Sequence, residues 1–276
     1  MDMEKVNERI LAFEGLIGKV NPVIPSGELY TGVDLGTASI VLCVVDEAGN
    51  LVTGAFQRGT AVRDGIVVDF VGAVDTVRRM KRELEQLLGR PLVKGAGAIP
   101  PGVSEGSAKI VRNVLEAAGF TVVNIVDEPT AAAQVLEVTE GAVVDIGGGT
   151  TGISILKDEE VLDTYDEATG GHHMNLVISG SYGIPYEEAE ALKCSLERQG
   201  EIYHVVLPVI DKMARIVKTF LGERAVEAVY LVGGGSALPG FEEYFAAALG
   251  IRTLKPYNPM LVTPMGIALC ARKGGG

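Results

Sequence analysis

The segment of this chain best suited to chemistry is Val143-Val144-Asp145-Ile146-Gly147-Gly148-Gly149-Thr150-Thr151-Gly152. Three successive glycines after an apolar strand strip every Cβ from a tight turn, so backbone N–H groups can converge on an anion such as phosphate. Taken alone, the triplet is equally a bare hairpin turn. Gly147, Gly149 and Gly152 also match the spacing of a dinucleotide fingerprint, but that motif must open a helix. Here Ile153-Ser154-Ile155-Leu156 follows, a strand by composition, and the dinucleotide reading fails. No GxxxxGK[ST] phosphate loop is present.

A second copy changes the balance. Val33-Asp34-Leu35-Gly36-Thr37-Ala38-Ser39 repeats the order of strand, Asp, glycine turn and hydroxyl, with Asp34 and Asp145 111 positions apart. Two such hairpins face to face form a clamp in which the backbone and hydroxyls of Thr37 and Thr150 hold phosphates from both sides. Asp34 and Asp145 are the expected holders of a hydrated Mg²⁺, which keeps most of its waters and takes few carboxylates. The metal would neutralise charge on a transferred phosphoryl group. Glu128, in Asp127-Glu128-Pro129-Thr130-Ala131-Ala132-Ala133, is either a helix-start carboxylate favoured by the dipole or the orienter of an attacking water. A third glycine turn, Gly233-Gly234-Gly235-Ser236, follows the strand-like Val229–Val232 and either joins strand to helix or lets a flat purine approach bare backbone. His172 and His173 are adjacent, and no cysteine stands at ligand spacing, so a metal role is not expected of them.

The elements that must position these residues are legible in the pattern. Val6, Ile10, Phe13 and Ile17 recur at helical spacing over 4–18. Asn21–Glu28, with two prolines and a glycine, reads as a linker. Strands are expected at 29–34, 40–45 and 51–56, a helix at 71–88 with Val77, Met80, Leu84 and Leu87 on one face, a strand at 93–99, a helix at 105–118 and a strand at 122–126. Pro129 sits one residue into the next helix, where its missing N–H costs nothing. Strands at 142–145, 152–157 and 161–165 then restart the pattern. This internal duplication of a β-β-β-α-β-α unit implies two similar lobes with a cleft between them. The expected organisation is helix and linker over 1–28, lobe I over 29–138, lobe II over 139–256, and a helix over 257–276 returning to lobe I.

Composition excludes several functions. A net charge of −12 argues against binding a nucleic-acid backbone or docking on an anionic membrane. No apolar run approaches the roughly 20 residues of a membrane span. The amino terminus has no signal-peptide core. Cys43, Cys194 and Cys270, an odd number at motif-free spacings, read as reduced thiols in a cytosolic protein.

Together the motifs resemble the five of the actin-like ATPase superfamily, which includes actin, MreB, FtsA and the DnaK-like chaperones. VDLGTAS is similar to the first phosphate motif, DEPTAAA to the first connecting motif and VVDIGGGTTGISIL to the second phosphate motif. VYLVGGGSALPG looks like the adenosine motif, and NPMLVTPMGIALCA, with Gly266, the second connecting motif. Ala189-Glu190-Ala191-Leu192-Lys193 resembles the segment that touches the nucleotide ribose, and the Gly170-Gly171 pair the one that precedes a helix near the nucleotide, which implies that His172 and His173 line the cleft or its closing edge. The resemblance spans Val33 to Ala271. It implies an α/β fold of two ribonuclease-H-like lobes around a nucleotide cleft, with ATP and Mg²⁺ as ligands. Implied contacts fall on Gly36, Thr37, Ala38, Gly147, Gly148, Gly149, Thr150, Thr151, Gly171, Glu190, Lys193, Gly233, Gly234, Gly235 and Ser236; Asp34 and Asp145 would hold metal, and with Glu128 they would be catalytic.

Within that superfamily, Arg63-Asp64-Gly65-Ile66-Val67, DEPTAAA, Asp166-Glu167-Ala168-Thr169-Gly170-Gly171-His172-His173 and the short length are similar to the ethanolamine-utilisation protein EutJ family. That family is encoded with bacterial microcompartment genes and described as chaperone-like. The resemblance implies a cytoplasmic, microcompartment-associated assembly factor whose partners are ethanolamine-utilisation enzymes or shell proteins, with no nucleic acid and no membrane. Self-association is left open. Departures from the DnaK-like pattern are Ala38 for a second Thr, Gly152 for an acidic residue, and no Lys between Lys19 and Lys81. Arg58 and Arg63 are the candidates for the missing lysine, and hydrolysis is expected to be slow or conditional. The chain leaves no room for a separate peptide-binding domain, so a client would bind the lobes, the cleft rim or the amino-terminal helix. That helix either packs on the chain's own body or docks in a partner's groove. Other open functions are a reactivating factor for a cobalamin enzyme, a small-molecule kinase, and an FtsA- or MreB-like scaffold.

Overall fold

A computed structural model describes residues 2–23, 26–59, 61–63 and 65–274. Asp64, part of one segment singled out above, lies outside them. The first helix, α1 (Met3–Leu16), is capped by Asp2, whose carboxylate accepts the N–H groups of Glu4 and Lys5. Three antiparallel strands follow, β1 (Leu29–Leu35), β2 (Ser39–Asp46) and β3 (Leu51–Arg58). A two-residue hairpin, β4 (Val62–Arg63) and β5 (Ile66–Val67), leads into α2 (Phe70–Leu88). Then come β6 (Lys94–Ile99), α3 (Glu105–Ala117), β7 (Thr121–Asp127) and α4 (Glu128–Leu136). The first sheet has the order β3-β2-β1-β6-β7, with β1, β6 and β7 parallel.

The second half repeats this. The strands β8 (Gly141–Ile146), β9 (Thr151–Lys157) and β10 (Glu160–Glu167) are again antiparallel neighbours. Helices α5 (Gly171–Tyr182), α6 (Tyr186–Lys193) and α7 (Gln199–Leu221) precede β11 (Ala228–Val232), α8 (Phe241–Leu249), β12 (Arg252–Leu254) and α9 (Val262–Lys273). The second sheet runs β10-β9-β8-β11-β12, with β8, β11 and β12 parallel. Equal strand order and equal directions make the duplication structural as well as sequential.

The central strands β1 and β2 of the first sheet and β8 and β9 of the second are buried on both faces, as near-continuous apolar strands require. Helices α2 and α3 cover the outer face of the first sheet, and α5, α7 and α8 that of the second. The shared middle layer is α4 and α9, which pack on the first sheet through Val41, Cys43, Ala96 and Ala98 and on the second through Val143, Leu156 and Val232. The two central helices touch backbone to backbone: a Cβ on Gly266 would lie 1.9 Å from the Ala131 carbonyl oxygen, and one on Gly32 would lie 2.3 Å from the Ala268 nitrogen of α9. Only glycine permits either approach.

One expectation changes, and one pair of alternatives is decided. On α2 the buried stripe ends on Leu88, 7% exposed, and not on Leu87, 50% exposed, because Val77, Met80, Leu84 and Leu88 keep spacings of three, four and four. The amino-terminal helix is not a free docking peptide. Val6, Ile10 and Phe13 are buried in the central core, with the Phe13 ring against Gly54 of β3. Residues after α1 run along β3, Gly18 donating to the Gly54 carbonyl and Asn21 to that of Val52, and so cover a sheet edge. Among the described residues, no helix is long and apolar enough to cross a membrane.

Candidate functional site

Asp34 stands at the end of β1 and Asp145 at the end of β8, each just before a glycine turn into an antiparallel strand. Gly147 N–H closes the second turn on the Thr150 carbonyl at 2.9 Å. The two turns meet: a Cβ on Gly148 would lie 3.1 Å from Thr37 Cβ and 3.2 Å from the Ala38 nitrogen. Between and beside them is a cavity of about 350 Å³, large enough for a small organic ligand. Of the residues expected at a ligand, Asp34, Gly36, Thr37, Ala38, Glu128, Asp145, Gly147, Gly148, Gly149, Thr150, Gly171, Glu190, Lys193, Gly233, Gly234 and Gly235 all line it.

Two do not. Thr151 is fully buried in β9 and its hydroxyl donates to the Thr169 carbonyl at 2.6 Å. Ser236 is also buried, donating to the carbonyls of Val232 and Gly233, so it shapes its own turn. Not every glycine serves the cavity either. A Cβ on Gly233 would fall 2.2 Å from Asp145 Oδ1, and one on Gly235 2.6 Å from Ile146 Cγ2, so those two are bare because the turn lies directly on the end of β8. The turn at 147–148 is further held by α5, where Gly171 N–H donates to the Gly147 carbonyl and His172 N–H to that of Gly148. Those N–H groups are thereby used inside the turn and are not offered to an anion.

The histidines do not line the cavity. His172 Nδ1 pairs with the Tyr186 hydroxyl at 3.0 Å, and His173 Nδ1 accepts the Gly170 N–H at 3.3 Å. They brace the start of α5 from outside, because the 2.7 Å bond from His172 N–H to Gly148 turns the backbone, not the ring, toward the cleft.

Electrostatically the cavity floor is an acid cluster. Burial, then the charge of Asp145, pushes the Asp34 carboxyl up to about 7. Burial raises Asp145 to about 6 against the opposing 2.6 Å hydrogen bond from the Thr263 hydroxyl. Glu128 is raised well above the ordinary glutamate value by burial and by Asp145, Asp34, Asp166 and Asp127. Asp166, behind the Thr150 hydroxyl, is lifted to about 6, mainly by burial. Among the described residues no three His, Cys, Asp or Glu side chains are gathered as a metal-binding group. The acids feel one another's charge without forming a cage, which suits a cation that brings its own water and ligand oxygens.

Two cations line the cavity. Lys193 pairs with Glu190 at 2.8 Å and reaches the Gly171 carbonyl at 3.3 Å. Burial raises the Glu190 carboxyl, but Lys193, Asn175 and Cys194 outweigh it and hold that carboxyl below the usual range. Arg58, from β3 in the other lobe, reaches Cys194 Sγ at 3.7 Å across the cleft. Arg63, in β4, does not line the cavity. Gly152 has no space for the acidic side chain of DnaK-like proteins, since a Cβ there would lie 2.9 Å from Pro101. The cavity is also lined by Cys194 and by Asn258, Met260 and Thr263 of the segment NPMLVTPMGIALCA, none of which sequence reasoning named as a ligand contact. Thr263 had a signal, a lone hydroxyl in the apolar run Met260–Ala271.

Comparisons with known proteins follow this geometry. Residues 107–265 match the family described as Type IV pilus assembly protein PilM. The ethanolamine utilization protein EutJ of Salmonella typhimurium is 42% identical over 252 residues, 91% of this chain and 88% of its own length. The crystal structure of EutJ from Carboxydothermus hydrogenoformans superposes with a TM-score of 0.91 at 45% identity, covering 98% of this chain and 99% of that one. MreB 5 of Spiroplasma citri bound to AMPPNP superposes at 0.71 with 19% identity, covering 88% and 95%, and shares the fold.

Proposed function

The chain belongs to the EutJ family of ethanolamine-utilisation proteins, and through residues 107–265 to the wider PilM family; from that premise we propose that it is a nucleotide-switched, chaperone-like assembly factor that holds Mg-ATP between its lobes. It has a role in ethanolamine utilisation and an actin-like ATPase fold. The observation that carries the finer reading is the contact of Gly148 with Thr37 and Ala38, which closes two glycine turns from separate sheets over one cavity.

In this reading residues 29–138 and 139–256 are the two lobes, and 257–276 return to the first. Thr37, Ala38 and the tip Gly148–Thr150 cradle the phosphates. Glu190 and Lys193, already fixed as a pair, face the ribose, and Gly234 with Met260 forms a wall for the base. Asp34 and Asp145 are the residues that would hold Mg²⁺; burial first, and then the charge of Asp145, lifts the Asp34 carboxyl, so the place favours added positive charge. When bound, the metal supplies neutralisation of charge on the phosphoryl oxygens. Glu128 starts α4 beside both aspartates, placed to orient a water. With its carboxyl raised and its lysine counterpart absent, hydrolysis is slow or conditional. Arg58 is the first-lobe cation that takes the lysine's place at the cleft. Closure then alters the surface offered to a partner, by no more than the ligand's differential affinity for open and closed forms. That partner is an ethanolamine-utilisation enzyme or a microcompartment shell protein, and the setting is cytoplasmic.

Isothermal titration of ATP and ADP, with and without Mg²⁺, tests this on the wild type, Asp34→Ala and Asp145→Ala. The expected result is Mg²⁺-dependent binding that falls at least about tenfold, or 1.4 kcal/mol, in each variant. Unchanged binding in both variants refutes the clamp. Turnover near the 10 per second common among enzymes refutes the switch.

A further inference from the structure

We infer that α1 is a strap that positions the base-facing wall of the cavity, with Asn7 and Glu14 as its positioning residues. The wall is the connector between β12 and α9. Asn258 and Met260 line the cavity there, Met260 Cγ lies 3.5 Å from where a Gly234 Cβ would sit, and the Pro259 carbonyl accepts the Gly233 N–H at 3.0 Å. That connector is held from the opposite side by α1. Asn7 Oδ1 accepts the Tyr257 N–H at 2.7 Å, and Glu14 Oε1 accepts from Asn258 Nδ2 at 3.3 Å.

The helix making these two bonds is itself fixed to the first lobe. Phe13 presses on Gly54 of β3, Val6 and Ile10 enter the central core, and Lys5 pairs with Glu137 at the end of α4. Asn7 and Glu14 lie two turns apart on α1, so the pair fixes both the position and the tilt of the connector. A chain of contacts thus runs from β3 through α1 and the connector to the glycine turn at 233–235. Perturbing its first link moves the wall without touching a ligand. By linkage, a ligand that settles against the wall must tighten α1 on the connector by the same factor.

The inference rests on the nucleotide reading for the identity of the ligand, and the test separates the two. Amide hydrogen exchange on the ligand-free protein reads the strap directly. Asn7→Ala and Glu14→Ala should each raise exchange at Tyr257 and Gly233, while Asn7→Asp and Glu14→Gln, which keep the accepting oxygen, should restore protection. Unchanged exchange in the alanine variants overturns the strap. Titration then reads its consequence. Each alanine variant should bind Mg-ATP about fivefold more weakly, the equivalent of one net hydrogen bond, and inorganic tripolyphosphate with unchanged affinity. Equal loss for both ligands, or loss for neither, overturns the assignment to the base-facing wall. Failure of the wild type to bind ATP refutes the nucleotide reading, and exchange alone then decides the strap.

Discussion

Replacing Asp34 by Asn should make the ligand-free protein more stable and the liganded one weaker. Asp34 is raised from 3.8 to about 7 by burial and by Asp145. A carboxyl with a raised folded-state pKa contributes stability that is complete below its unfolded value and is lost as pH rises through the folded one. Its ionisation therefore opposes folding increasingly between pH 4 and 7. About three pKa units at roughly 1.4 kcal/mol each gives an upper bound near 4 kcal/mol. Asp34 lines the cavity and is only partly buried, so solvent screens it, and about 1–2 kcal/mol is the expected gain for the isosteric amide at pH 7.5. In a chain of 276 residues that is a rise in Tm of about 2–4 °C. The assay is thermal unfolding from pH 4.5 to 8 in chelator, wild type against Asp34→Asn, followed by titration with Mg-ATP. The wild type should lose stability as pH rises from 4.5 to about 7 and then level off, and the variant should lose less. Affinity should fall in the variant, a trade of function against stability. A variant less stable than wild type at pH 7.5, or parallel pH profiles, would show that Asp34 is not held against its own charge.

Two further outcomes follow from packing and thiol chemistry. Phe13→Ala removes a fully buried ring from between α1 and β3 and should cost about 3–5 kcal/mol by denaturant unfolding; a cost below about 1 kcal/mol would mean that α1 is not part of the core. Cys194 is the exposed thiol, raised by burial and by Glu190, whereas Cys43 and Cys270 are buried. At pH 7.5 a maleimide should label Cys194 alone, more slowly than free cysteine, and Glu190→Gln should speed the reaction by lifting that charge. Labelling of Cys43 in the native protein would contradict the packing.

What the sequence determined by itself is whatever depends on neighbours along the chain. The glycine turns after Asp34 and Asp145 were legible because a strand, an acidic residue and a bare turn are local signals. Their repetition 111 residues apart implied a second lobe of the same design. The helix at 71–88 was legible from its period, yet its last buried residue was not, since Leu87 and Leu88 are equally apolar and only the geometry of packing on the first sheet selects Leu88. The tertiary structure decided everything that depends on which backbones touch. It turned Thr151 and Ser236 inward although their types suit a ligand, and it accounted for Gly233 and Gly235 by the crowding of Asp145 and Ile146. It drew Thr263, more than a hundred residues away in sequence, onto the Asp145 carboxylate. It also laid α1 against the connector at 257–258, because the helix's apolar face finds its burial in the central layer where α4, α9 and both sheets converge, a location no local pattern encodes.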